Sequence, residues 1–542
     1  MEETAVSNQV SPTELDVIVI GAGFGGMYSL HLLREMGLKA KVYDAADGVG
    51  GVWRWNGYPG ARVDFPGGPY YCYTFSEELV KGWNWAESQP DQKDVLAYMD
   101  YVADQLDLRR DIQLDTWVTD ARFNETTQRW VIETDQGETV SAQFMICAVG
   151  TLSAAHKPDI PGFDDFAGEC YHTGGWPNEG VDFAGKRVGV IGTGSSGVQS
   201  IPIIAREADQ LTVFQRTPQY TIPAKNHPLD EAFINHTQQN WPEIRDQMIA
   251  SPFGAPIVPG EHSALEYTED ERNAVYEELW QKGGFAVAFN SYSDILTNKE
   301  ANFSLAEFVR SKIRATVKDP VTAEKLLPDY YIGTKRLILD TGYHETYNRD
   351  NVTLVDLKAD PIERITASGV RTASGDEYPL DILILATGYD AVTGAMQRLN
   401  PKGRNGISLN EEWADRFNTY LGMTIPQFPN LFMIHGPETP SVLYNMPLGA
   451  ELEAEWIRDC IGHLREESLG TIEPAKGVEK GWGDEVLEIA NETLFPLTDS
   501  WYTGANIPGK HRQFAVHLGG PLFFQRLTEV AENDYEGFVL QE

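Results

Sequence analysis

Two glycine-rich turns constrain this chain more than any other feature. Gly21-Ala22-Gly23-Phe24-Gly25-Gly26 follows the apolar run Asp16 to Ile20, and Gly192-Thr193-Gly194-Ser195-Ser196-Gly197 follows Arg187 to Ile191. A buried parallel strand, a GxGxxG turn and the start of a helix form a dinucleotide site. The first glycine permits the tight turn, the second lets the backbone approach the pyrophosphate, and the third lets helix pack on strand. The helix N-terminus then faces the anion. One such turn is weak evidence; two, each preceded by its strand, predict an α/β chain with two Rossmann-like dinucleotide-binding domains. The residue ending the next strand reads the ribose. After Ala40–Tyr43 it is Asp44, an acid suited to a free 2′-hydroxyl; after Phe214-Gln215 it is Arg216, followed by Thr217, suited to a 2′-phosphate. The simplest use of that pair is electron flow from NADPH to FAD. Gly21, Gly23, Gly26 and Asp44 are then the FAD candidates, and Thr193, Gly194, Ser195, Ser196, Gly197, Arg216 and Thr217 the NADP candidates.

Composition narrows the partners. The chain has 542 residues and a formal charge of −37, which argues against nucleic acid or an anionic membrane surface. An acidic chain must hold a phosphorylated cofactor with local cations, so basic residues near the glycine turns carry more information. The four cysteines, Cys72, Cys147, Cys170 and Cys460, form no CxxC pair, which disfavours a disulfide reductase. They fit a reduced, cytoplasmic protein. No apolar run approaches the length needed to span a bilayer, no metal-ligand spacing stands out, and residues 1–15 read as a polar, disordered tail.

A second pattern stands before the second turn: Phe166-x-Gly168-x-x-x-His172-x-x-x-Trp176-Pro177. It resembles the fingerprint of the type I Baeyer–Villiger monooxygenases, and the resemblance runs from Asp16 to the C-terminus. That family uses FAD, NADPH and O₂ to convert ketones to esters or lactones through a flavin peroxide, and often oxidises sulfides too. The resemblance implies further site residues. Within DGVGGVWRWNGYPGARVD, Gly51, Val52, Trp53 and Asp64 map onto flavin-contacting positions, and Arg54 stands where relatives commonly have tyrosine. The following FPGGPYYCYTF is about one residue longer than in relatives, although Tyr71 and Tyr73 still match. Val118 maps onto a backbone contact to the adenine. In Gly333-Thr334-Lys335-Arg336, the lysine maps onto a 2′-phosphate ligand and the arginine onto the cation that stabilises the peroxide, with Asp64 as its partner; Arg336 and Asp64 are the catalytic candidates. Ser441, Leu443, Tyr444 and Met446 map onto a substrate-lining loop, and Trp501 onto a mobile loop that contacts NADP.

The chain divides accordingly. Residues 16–150 begin the FAD domain, 151–224 begin the NADP domain with the fingerprint as linker, 225–332 read as a helical insertion, 333–380 complete the NADP domain, and 381–542 complete the FAD domain. Two other functions share parts of the pattern. A flavin monooxygenase that oxygenates nitrogen or sulfur would keep both turns, and a non-catalytic flavin and NADP redox sensor would bind the cofactors without a ketone.

Overall fold

The computed structural model describes residues 12–65 and 67–542. Its first sheet contains β1 (Thr13–Ile20), β2 (Ala40–Tyr43), β3 (Ile112–Gln113), β4 (Val118–Asn124), β5 (Arg129–Thr134) and β6 (Thr139–Cys147), in the order β3-β2-β1-β6-β5-β4. β1 runs parallel to both β2 and β6, with Val17 opposite Ala40 and Phe144. The short strand Leu431–Met433 returns from the last third of the chain to pair with Met145–Cys147. Alternation along β1 feeds two cores, as the strand period of two requires. Val17 and Val19 pack with Leu30, Leu33 and Ile457, whereas Ile18 and Ile20 pack with Trp130 and Ile132.

The second sheet contains β7 (Glu169–His172), β8 (Arg187–Ile191) and β9 (Gln210–Gln215). After β10 (Thr221–Pro223) and β11 (Ile338–Asp340), which pair with each other, the chain adds β12 (Val352–Asp356) to this sheet. An antiparallel sheet of β13 (Ile362–Thr366), β14 (Gly369–Thr372) and β15 (Glu377–Pro379) precedes the last member, β16 (Ile382–Leu385). The order is β12-β9-β8-β16-β7, parallel throughout. Both glycine turns leave the carboxyl end of a parallel strand, where α/β sheets bind ligands.

Between β10 and β11 lie helices Glu231–Gln239, Trp241–Ala250, Glu269–Lys282, Ala286–Phe289, Lys299–Thr316 and Pro320–Lys325. Thr268 caps the third of these in a reciprocal capping box with Glu271. Tyr276, Leu305 and Val309 share a core with Val190 of the second sheet and Ile204 of the helix Ser195–Glu207 that follows it, so the insertion packs directly on the nucleotide fold. Among the described residues no helix is long and apolar enough to cross a membrane.

Several expectations change. Thr13–Leu15, assigned to the tail, are the first turn of the ladder with Val140–Ala142; residues 1–11 lie outside the described chain. The helix expected after the first glycine turn begins inside it, at Phe24, so Gly25 and Gly26 are already helical. β3 stops at Gln113, and Asp115 beyond it has a φ of 50°. The fingerprint is not only a linker: Glu169–His172 is an edge strand, with His172 opposite Leu385. Finally, Ile382–Leu385 sits in the second sheet between β8 and β7, so the chain returns to the first sheet after Leu385 rather than at residue 381.

Candidate active site

The first turn is tight enough to need its glycines. Gly21 has a φ of +107°, and a Cβ there would lie 2.3 Å from the Ala148 carbonyl oxygen; a Cβ on Gly26 would lie 1.8 Å from the Gly21 oxygen. Gly23 is different, because its nearest neighbour, the Gly51 Cα, is 3.5 Å from that virtual Cβ. Protein packing does not demand glycine at 23, whereas a pyrophosphate lying on the turn would. Asp44 is buried at the end of β2. Its carboxylate accepts hydrogen bonds from the backbone N–H of Ala22 at 2.5 Å and of Ala46 at 2.8 Å, which hold it beside the turn. Burial pushes its pKa up, and these two bonds oppose the shift.

Gly51, at a φ of +56°, starts the one-turn helix Val52–Trp55 against the same turn. The Trp53 indole donates to the Tyr71 hydroxyl at 3.2 Å, and Phe24 meets the Tyr71 ring edge-on at 5.6 Å. Tyr73 donates to the Phe24 carbonyl at 2.7 Å. These rings form an aromatic wall beside the start of the helix Phe24–Glu35. Val118 opens β4, opposite Thr134.

The second turn repeats the design. Gly192 has a φ of +105° with the Ala386 oxygen 2.4 Å from a virtual Cβ, and Gly197 closes on the Gly192 oxygen at 2.4 Å. Gly194 meets nothing within 4 Å, and the helix Ser195–Glu207 begins directly after it. The Thr193 hydroxyl donates to the Thr217 carbonyl at 3.0 Å, tying the turn to the ribose-reading segment. Lys335 lies near Arg216. Burial and then the Arg216 charge depress the Lys335 pKa, and Asp329, which faces it, is already paired with Lys358 at 3.0 Å. Two cations held together in a chain of net charge −37 form a ready anion site, which fits a 2′-phosphate.

Arg336, just ahead of β11, reaches Asp64 in the segment that follows β2. The Gly333–Arg336 turn that carries it is pinned on two sides. Asn302 donates to the Ile332 carbonyl and accepts from the Ile332 N–H, and Thr334 donates to the Thr498 hydroxyl at 2.7 Å. The guanidinium binds Asp64 through two parallel hydrogen bonds, Nη2 to Oδ1 at 2.6 Å and Nε to Oδ2 at 3.1 Å. Nη1 donates to the Val442 carbonyl at 2.6 Å, and the Phe285 ring lies 5.9 Å from the guanidinium carbon. Of five N–H donors these bonds engage three, which leaves two for a ligand. Burial opposes the charge, but Asp64 outweighs it and the pKa stays above that of a free arginine. The site therefore holds a permanent cation in fixed orientation.

The fingerprint lies at the seam. A Cβ on Gly168 would strike the Asp381 oxygen at 2.4 Å, and Phe166 packs beside it. His172 Nδ1 accepts from the Gly174 N–H at 2.9 Å, its Nε2 lies 3.4 Å from the Thr387 hydroxyl, and burial lowers its pKa. Trp176, followed by Pro177, is buried, and its backbone N–H donates to the Trp55 carbonyl at 3.1 Å. Trp501 packs at a tilt of 31° against Tyr502 with centroids 4.1 Å apart, while Asn506 donates to the Tyr389 carbonyl and Lys510 pairs with Asp390.

The 440–446 loop divides. The Ser441 hydroxyl is buried and finds no hydrogen-bond partner among the described residues, and Leu443 and Met446 pack partly buried on the first core. Tyr444 points its hydroxyl at the carbonyls of Met248 and Ile249, packing on the insertion. Sequence reasoning missed Val442, Phe285 and Thr498. Val442 acts through its backbone, which no side-chain pattern reveals, and Phe285 reaches Arg336 only because the insertion folds back.

Comparison with known proteins agrees with this geometry. Residues 14–233 match the family described as flavin-binding monooxygenase-like. A Baeyer–Villiger monooxygenase of Pseudooceanicola batsensis is 45% identical over 97% of this chain and 96% of its own length. The phenazine N-monooxygenase PhzNO1 of Lysobacter antibioticus is 43% identical over 97% of each. A steroid monooxygenase crystallised with NADP superimposes with a TM-score of 0.92 at 47% identity, covering 98% of this chain and 100% of that one. At 45% identity over nearly the whole of both chains, and with structures of the same fold, the chain belongs to the FAD- and NADP-dependent Baeyer–Villiger monooxygenases.

Proposed function

We propose that the chain inserts one oxygen atom of O₂ beside a ketone carbonyl, at the expense of NADPH, with Arg336 as the fixed cation of the oxygenation step and Asp64 as the group that aims it. The observation carrying this reading is the bidentate Arg336–Asp64 pair with two N–H donors left over. FAD, when bound, supplies the redox chemistry between NADPH and O₂. Oxygenating a carbonyl carbon requires a nucleophilic, negatively charged oxygen, and a preorganised cation stabilises charge where it develops. Asp64 holds the fork in one plane and offsets part of its charge, while the Val442 carbonyl fixes the third direction. Arg216 and Lys335 take the 2′-phosphate, Gly194 and the helix behind it the pyrophosphate, and Gly23 and Asp44 the corresponding parts of FAD. Residues 16–150 with those after Leu385 act as the FAD unit, residues 151–224 with 333–385 as the NADP unit, and 225–332 as a wall that brings Phe285 to the site. The four cysteines, unpaired in the structure, support a cytoplasmic setting.

The relative that oxygenates phenazine nitrogen makes N-oxygenation the second reading. Product analysis with NADPH and O₂ over a cyclic, a linear and an aryl ketone, beside a phenazine, separates the two. Esters or lactones from the ketones support the proposal, and N-oxide alone with no ester contradicts it.

A further inference from the structure

A hydride can pass from NADPH to FAD only while the unit built on the second sheet presents the nicotinamide to the unit built on the first at a defined distance. We infer that Gln199 is the positioning residue that sets it, an inference resting on hydride transfer from NADPH to FAD. Gln199 is buried in the second turn of the helix Ser195–Glu207, just beyond the pyrophosphate turn. Its side-chain oxygen accepts from the Tyr58 hydroxyl at 2.8 Å, and its nitrogen donates to the Arg62 carbonyl at 3.1 Å. Its backbone approaches as well: a Cβ on Gly60, at a φ of +78°, would stand 2.4 Å from the Gln199 carbonyl oxygen. One helical residue thus grips Tyr58, Gly60 and Arg62.

The gripped stretch leads to the reacting end of the site. Arg62 is anchored to the first unit by donating to the Gln89 carbonyl at 2.8 Å and to Glu87 at 3.0 Å, and the Val63 N–H donates to the Pro90 carbonyl at 3.0 Å. The next residue is Asp64, which holds Arg336. A rigid path therefore joins the NADP helix to the catalytic cation through a single amide. The chemistry of that amide is specific, because it must accept on one side and donate on the other; glutamate cannot donate and leucine can do neither.

The test uses Gln199→Leu, Gln199→Glu and Tyr58→Phe holoenzymes in anaerobic stopped-flow reduction at several NADPH concentrations, which separates the limiting reduction rate from the apparent Kd. Because a misplacement of about 1 Å can cost on the order of 10²-fold, we expect Gln199→Leu to lose roughly 10–100-fold in the limiting rate with Kd and FAD content unchanged. Tyr58→Phe loses less, and the double variant is no slower than Gln199→Leu, since both remove one bridge. If Gln199→Leu does not fold, Tyr58→Phe, which removes one oxygen, carries the test. A wild-type reduction rate with a lowered melting temperature reduces Gln199 to packing, and a raised Kd at wild-type rate makes it an NADPH ligand; either overturns the inference. No ketone is present, so the result stands apart from whether the enzyme forms esters.

Discussion

Lys335 shows how one residue combines recognition with a cost. Burial and the neighbouring Arg216 disfavour its charge, and Asp329 and Asp499 offset only part of that. On the proposed reading, a 2′-phosphate would relieve the repulsion between Lys335 and Arg216 and so favour NADPH over NADH. A hydrogen bond to a charged group contributes about 1.5–3 kcal/mol, one to two decades in affinity. Arg216→Ala is therefore expected to raise KM for NADPH by about 10–100-fold at little change in kcat, with KM for NADH nearly unaffected; steady-state kinetics with both nucleotides checks it. The depressed Lys335 pKa adds a pH signature. As pH rises, the free enzyme loses the lysine charge sooner than an ordinary lysine would, so NADPH binding weakens at alkaline pH. Lys335→Arg keeps its charge and should flatten that limb of the KM profile.

At the scale of elements, each glycine turn contains two glycines that the protein's own packing requires, Gly21 and Gly26 or Gly192 and Gly197, and one, Gly23 or Gly194, that only a bound ligand would require. Gly26 and Gly197 close on backbone oxygens, whereas Gly23 and Gly194 have room. Gly23→Val should fold with a near-normal melting temperature and emerge without yellow colour; Gly194→Val should stay yellow and fail to be reduced by NADPH. Absorbance at the flavin band and an anaerobic reduction trace distinguish the two, and a Gly23→Val protein with full FAD content would dissociate the first turn from flavin binding. The strand, turn and helix of both sites were legible because their apolar runs, glycines and ribose-reading residues lie within one short stretch. Where partners are distant, legibility failed. Glu169–His172 contains too few apolar residues to announce a strand and forms one only because β16 offers its edge. The placement of β16 itself, an apolar run that either sheet could bury, depends on the crossover and not on its residues. Within the site, Asp64 and Arg336 lie 272 positions apart, and only the resemblance to known enzymes paired them before the fold did.

Across the whole molecule, three buried titratable groups give folding a pH profile. Burial pushes Glu438 and Glu451 up to about 8, against the hydrogen bonds each accepts, from Thr419 and Thr74 respectively. Glu451 also ties units together, because Thr74 accepts from Arg245 of the insertion and its carbonyl accepts from Trp241. Between the ordinary glutamate value of 4.5 and about 8 the folded chain retains protons the unfolded chain has released, so stability falls as pH rises through that window. His517, pushed down to about 4 by burial, acts oppositely and costs stability as pH falls below 6.5. Thermal melts should therefore show Tm declining from pH 6.5 to 8.5, with a shallower decline in Glu438→Gln; a Tm that rises across that interval would show these carboxyls to be ionised in the fold. The central claim concerns Arg336 and is tested most directly by following two steps in one variant. Arg336→Ala is measured by anaerobic stopped-flow reduction with NADPH and, in parallel, by chromatographic ester yield from a ketone that the wild type converts. The account predicts that reduction survives while ester formation falls by at least about 10²–10³-fold, with Arg336→Lys recovering only part because an ammonium lacks the planar fork. Ester formation by Arg336→Ala at near wild-type rate would contradict the account, and equal loss of both steps would make Arg336 a nucleotide-positioning group instead.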